Sequence, residues 1–133
     1  MSPPAGFPGQ MRALLAVAAA LLLAGCAAKT TVKGAAVELQ PQGFKELRIQ
    51  LGKGQTVAYS WSTTDDAPVH FDLHQHEGGG TQEFKVVTAA TGGDTFTAPA
   101  DGSYYWFWQN TGNGTTTMDY HIETKGKVTG EYQ

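Results

Sequence analysis

The chain has one cysteine, Cys26, in 133 residues. A single thiol forms no internal disulfide and cannot supply the several thiolates of a structural zinc site. Long hydrophobic runs are scarce too. The run Ala13–Ala24 has an apolar heart, Ala13–Leu23, that is shorter than the roughly 20 residues of a membrane-spanning helix. Nine Lys and Arg against twelve Asp and Glu leave a net charge of −3, which gives no support for nucleic-acid binding. No long helix-period pattern follows Cys26. Catalytic signatures are missing as well. Ser60, Ser62 and Ser103 lack the context of a nucleophile elbow. Asp65-Asp66 precede Ala67-Pro68 as a turn does, and Gly78-Gly79-Gly80 opens no helix and so is no phosphate loop. The chain is therefore not expected to be an enzyme.

What is present begins with an address. Arg12, the apolar run, and the small residues Ala24 and Gly25 have the layout of a secretory signal. Residues 1–10 are uncharged and rich in Pro and Gly, so Met1 and Met11 both stand as candidate initiators. Leu23-Ala24-Gly25-Cys26 resembles the lipobox of bacterial lipoproteins. The resemblance implies removal of residues 1–25, a diacylglycerol on the Cys26 sulfur, and an acyl chain such as palmitate on the new amino terminus. Two or more chains anchor a protein stably where one does not. Ala27 rather than Asp follows Cys26, which in a Gram-negative host implies an outer-membrane lipoprotein facing the periplasm. Lipidation would leave the mature domain without a thiol. Residues 26–42 are then expected to be a lipidated tether and 43–133 the folded domain. From Cys26 onward, eight basic side chains face twelve acidic ones, a net of −4.

The pattern after residue 42 alternates with period two, the signature of half-buried strands. Lys45–Leu51 places Leu47, Ile49 and Leu51 on one face, and Thr56–Ser62 does so with Val57, Tyr59 and Trp61. Val69–His76 sets Val69, Phe71 and Leu73 inward, and Glu83–Thr88 does the same with Phe84 and Val86. Gly92-Gly93 is expected to be a turn before a short strand over 94–98. Gly78-Gly79-Gly80 is expected to be a flexible loop. Tyr104–Gln109 is aromatic on both faces, as in a strand covered on both sides. In 115–124, Thr116, Met118, Tyr120 and Ile122 alternate with Thr117, Asp119, His121 and Glu123. Val37 and Leu39 alternate at the end of the tether, marking a candidate first strand there. These features predict an all-β antiparallel sandwich of seven to eight short strands, with a small closed barrel as the alternative.

Three stretches carry a further resemblance: Gly54–Trp61 (GQTVAYSW), Val69–His74 (VHFDLH) and Phe96–Asn110 (FTAPADGSYYWFWQN). Together they resemble the GOLD-type β-sandwich of small bacterial periplasmic or membrane-anchored proteins, over about Phe44 to Ile122. The resemblance implies a jelly-roll-like sandwich used for binding, often of other proteins, with no enzymatic activity; the bacterial members have no assigned biochemical role. Tyr59, Trp61, Tyr104, Trp106 and Trp108 are read as a structural aromatic core. Asn110 is expected to close its strand by bonding turn backbone.

One strand could carry chemistry. If Phe71 and Leu73 point inward, His70, Asp72, His74 and His76 share the other face, spaced about 6.6 Å apart along the strand. His74 and His76 are the best-placed pair of ligands for Cu, Zn or Ni, with Asp72 as a carboxylate. His70 lies about 13 Å along the strand from His74, and His121 joins only if its strand is adjacent. Met118 has the opposite parity from His121, against a His/Met copper(I) site. A solvated polar strand face explains the same alternation. Two functions follow: an envelope protein-binding module, or a periplasmic metal-binding protein.

Overall fold

A computed structural model describes residues 28–133; Cys26 and the signal segment lie outside the described residues. The described residues form nine strands: β1 (Thr30–Leu39), β2 (Phe44–Leu51), β3 (Thr56–Thr63), β4 (Val69–Glu77), β5 (Gly80–Ala89), β6 (Thr91–Thr97), β7 (Gly102–Gln109), β8 (Thr116–Thr124) and β9 (Lys127–Tyr132). They make a four-stranded sheet, β1-β8-β3-β6, and a five-stranded sheet, β5-β4-β7-β2-β9. Every pairing is antiparallel. The first eight strands interleave in jelly-roll order, and β9 is added beside β2. The fold is thus the all-β antiparallel sandwich expected from the alternation, with nine strands rather than seven or eight.

Alternation decides what lies between the sheets. Leu47, Ile49 and Leu51 of β2, Val57, Tyr59 and Trp61 of β3, and Val69, Phe71 and Leu73 of β4 are all buried. So are Tyr104, Trp106 and Trp108 of β7 and Met118, Tyr120 and Ile122 of β8. Aromatic rings span the gap between sheets: Tyr59 meets Trp106 edge-on at 6.2 Å, Trp61 meets Trp108 at 6.4 Å, and Trp61 lies 4.5 Å from Phe71. Asn110 is buried at the end of β7. Its Nδ2 donates to the carbonyls of Leu39 and Gly114, and its Oδ1 accepts from the Gly112 amide.

Several local expectations are corrected. The candidate strand at the end of the tether extends over ten residues as β1, which pairs with β8 from Thr30 to Leu39 around a bulge at Gly34–Val37. Its tether-like polarity is that of a sheet edge, where much of each side chain faces water. Strand β9 follows Gly126, beyond the last alternating segment read from the sequence. Gly78-Gly79-Gly80 is no loose loop: Gly78 and Gly79 have φ of 57° and 80° and close a hairpin in which Glu77 pairs with Gly80, as the primed hairpin turns require. Val86 is exposed rather than inward. A bulge on β5 opposite Leu73 and His74 shifts its register, so Val86 pairs with Asp72 and Val87 with Phe71. Strand β7 is buried on one face only. Tyr105, Phe107 and Gln109 on the other face are half-buried.

Gly92-Gly93 is not a turn but the interior of β6, paired with Trp61 and Ser60. A Cβ on Gly92 would meet the Trp61 ring at 2.1 Å, and one on Gly34 would meet the Tyr120 ring at 2.1 Å. The two large inward rings therefore fold over bare backbone on the neighbouring strand.

A polar cluster ties the sheets on the side where β2 carries β9. Lys45 shares the inner row of β2, and its Nζ lies 3.1 Å from the Glu131 carboxylate. Tyr120 of the four-stranded sheet donates its hydroxyl to the same group at 2.9 Å. The Tyr120 hydrogen bond, followed by that from Lys45, holds the Glu131 carboxyl below the usual glutamate range. Burial, and then the same hydrogen bond, pushes the Tyr120 phenol up. Lys85 and Asp94 link β5 to β6 at 3.8 Å, but both are exposed and such pairs contribute little.

Two outcomes follow for stability in urea unfolding. Gly92→Ala overpacks against Trp61 and should cost roughly 1–3 kcal/mol, whereas Gly114→Ala, in open space, should stay within about 0.5 kcal/mol of wild type. The Glu131 contribution should be complete above the ordinary glutamate value of 4.5 and fade as pH falls through its lower folded value. The stability gap between wild type and Glu131→Gln should therefore close on acidification.

Candidate functional site

The outer face of the five-stranded sheet is built by β4 and β7, which lie side by side near its middle. Pairing sets its cross-strand rows. One runs Val86, Asp72, Phe107, Glu46, Tyr132 across all five strands. The next places His74 beside Tyr105 and Tyr105 beside Arg48, and a third places His70 beside Gln109 and Gln109 beside Phe44. Phe44 stacks on Phe107 at 5.6 Å. Arg48 is turned to β9, donating to the Thr129 hydroxyl and carbonyl at 2.9 and 3.1 Å.

The histidine strand falls on this face as its alternation predicts. Asp72 stands between two imidazoles. Its Oδ1 lies 3.1 Å from His74 Nδ1, while its Oδ2 is 4.0 Å from His70 Nε2, too long for a hydrogen bond. His74 lies flat on Tyr105, with centroids 5.3 Å apart and planes 6° apart. His76 stands edge-on to both rings at 4.9 Å and reaches Thr81 Oγ1 through Nδ1 at 3.3 Å. His74 is consequently 8% exposed although it faces away from the core. A cross-strand aromatic pair of this kind contributes about 0.5–1.5 kcal/mol.

His121 does not join. It lies on β8 of the other sheet, on that sheet's outer face, and pairs with Lys33 and Ser60. The sandwich core separates it from β4. Its Nε2 meets Glu123 at 3.2 Å, and it lines a separate depression of about 530 Å³ with Lys33, Ser60, Ser62 and Asp119. Asp72 is turned to the Nδ1 of His74, and His70 lies beyond it. Among the described residues no three His, Cys, Asp or Glu side chains are placed to hold a metal ion together. Tyr105 is the member that sequence reasoning passed over. Its signal was the second aromatic parity of β7, read as a covered face.

No family model matches the sequence, and no curated protein does. Among the solved structures that overlay on the chain are a mitogen and a designed protein. The crystal structure of Yersinia pseudotuberculosis-derived mitogen is 17% identical, with a TM-score of 0.48 over 80% of this chain and 90% of that one. The solution NMR structure of a de novo designed double-stranded β-helix is 13% identical, with a TM-score of 0.37 over 73% of this chain and 97% of that one.

The carboxylate beside His74 fixes its tautomer, since an ionised carboxylate only accepts hydrogen bonds. Nitrogen-15 NMR should find His74 predominantly protonated at Nδ1 when neutral. Asp72→Ala should shift it toward the tautomer mixture of a free imidazole, and an unchanged spectrum would remove this role from Asp72.

Proposed function

We propose that the chain is a cell-envelope lipoprotein, anchored through Cys26, whose jelly-roll sandwich is a non-catalytic module that binds a protein partner. The outer face of the five-stranded sheet is its contact surface. The observation that carries this reading is where exposed apolar side chains occur. Among the described residues the large exposed hydrophobics are Phe44, Val86 and Tyr132, and all three stand on that one face, around half-buried Tyr105 and Phe107. Aromatic anchors within a polar surround are what protein interfaces use. The lipobox resemblance supports the anchor, and the GOLD-type resemblance supports binding over catalysis. Only residues 27–29 separate Cys26 from β1, a reach of about 14 Å for four extended steps, which keeps the module at the membrane surface. In a Gram-negative host that surface is the periplasmic side of the outer membrane.

Two measurements test the two halves. Labelled palmitate should enter the wild-type chain and not Cys26→Ala; equal labelling would refute the anchor. A photo-crosslinking amino acid at Phe107 should capture a reproducible envelope protein, and one at Glu123 on the opposite sheet should not. Equal capture from both positions, or none from Phe107, would refute the contact surface.

A further inference from the structure

We propose that His74 and His76 form a two-imidazole site for a divalent transition-metal ion, bound through their Nε2 atoms, with Asp72 as a positioning residue. This proposal depends on neither the anchor nor the protein partner.

In both rings the Nδ1 side is already occupied. Asp72 accepts from His74 Nδ1, so the lone pair of the neutral ring sits on Nε2. A carboxylate behind a ligating imidazole is the arrangement that fixes orientation and raises ligand basicity in metal sites. His76 Nδ1 faces the Thr81 hydroxyl. Among the described residues neither Nε2 makes a hydrogen bond within the protein. His74 Nε2 is not among the polar atoms sealed from solvent without a partner, which are Thr63 Oγ1 and the indole nitrogens of Trp106 and Trp108, so it reaches solvent, and His76 is an exposed residue.

The rings are also held together before any ion arrives. Their centroids are 4.9 Å apart, and Tyr105 touches both, flat against His74 and edge-on to His76. They stand on β4, which pairs with β5 at both residues and with β7 as far as His74. A ligand pair on a strand keeps its geometry better than one on a loop. No third protein ligand is in place, so water fills the remaining positions and binding is weaker than in a closed three- or four-ligand site. Neutral imidazoles suit Cu(II), Ni(II) and Zn(II), and the general order of affinities puts Cu(II) first.

The test is calorimetric titration of the metal-stripped full chain with Cu(II), Ni(II) or Zn(II) alone, with electron paramagnetic resonance of the Cu(II) form. The expected result is one ion per chain, Cu(II) tightest, with couplings from two imidazole nitrogens. His76→Ala should weaken binding at least tenfold and leave one coupled imidazole. Asp72→Ala should weaken it about 10–100-fold. His70→Ala and His121→Ala should bind as wild type. Near-UV circular dichroism checks that each variant is folded, and His76, an exposed residue, carries the test if His74→Ala does not fold. Wild-type affinity in His76→Ala, or loss of binding in His70→Ala or His121→Ala, would overturn the proposal.

Discussion

Between the sheets, Tyr59 and Trp61 of one layer meet Phe71, Trp106 and Trp108 of the other at centroid distances from 4.5 to 6.4 Å. The rest of the molecule accommodates this contact. Each ring takes roughly 150–250 Å² out of water, and at roughly 25 cal/mol per Å² that is about 4–6 kcal/mol. The indole N–H groups of Trp106 and Trp108 are buried without an acceptor, at about 1–3 kcal/mol each. Ring burial is the larger effect, so the unpaired donors are tolerated. Large inward rings also explain glycine in the middle of strands: Gly92 lies under Trp61 and Gly34 under Tyr120.

The outer face follows from the inner one. Tyr104, Trp106 and Trp108 point inward, so Tyr105, Phe107 and Gln109 must point outward. On β4 the inward set Val69, Phe71 and Leu73 likewise sends His70, Asp72, His74 and His76 out. Because β4 and β7 are neighbours, the outward imidazoles and the outward aromatics form one surface. Its side chains stand on strands whose positions the core contact sets, so the His74–Tyr105 stack and the Asp72 hydrogen bond rest on a rigid floor.

Much of this was legible residue by residue. The inward rows of β2, β3, β4, β7 and β8 can be read from alternation, and so can the common face of the four residues on β4. Asn110 was readable as a strand closure, though its partner Leu39 was not. The failures share a cause. Val86 was misplaced because a bulge arises from pairing with β4, which a single strand does not display. Gly92-Gly93 looked like a turn because the reason for glycine there is Trp61, a residue on the neighbouring strand β3. His121 looked available to β4 because outward parity says nothing about which sheet a strand belongs to. Strands β1 and β9 have weak patterns because they are edges, with much of each side chain in water.

By itself the sequence determined the class of fold, the facing of most core side chains, and the pattern Leu23-Ala24-Gly25-Cys26 on which the proposed anchor rests. Side-chain alternation is a local property of extended backbone, so it is visible without knowing any neighbour. Only the tertiary structure decided which strands lie side by side, that His121 is separated from His74 by the whole core, and that Tyr105 completes the histidine cluster. In the jelly roll, neighbours such as β1 and β8 or β2 and β7 are far apart in the chain. Their adjacency is chosen by how large side chains from distant strands fit together between two sheets, and no single strand carries that information.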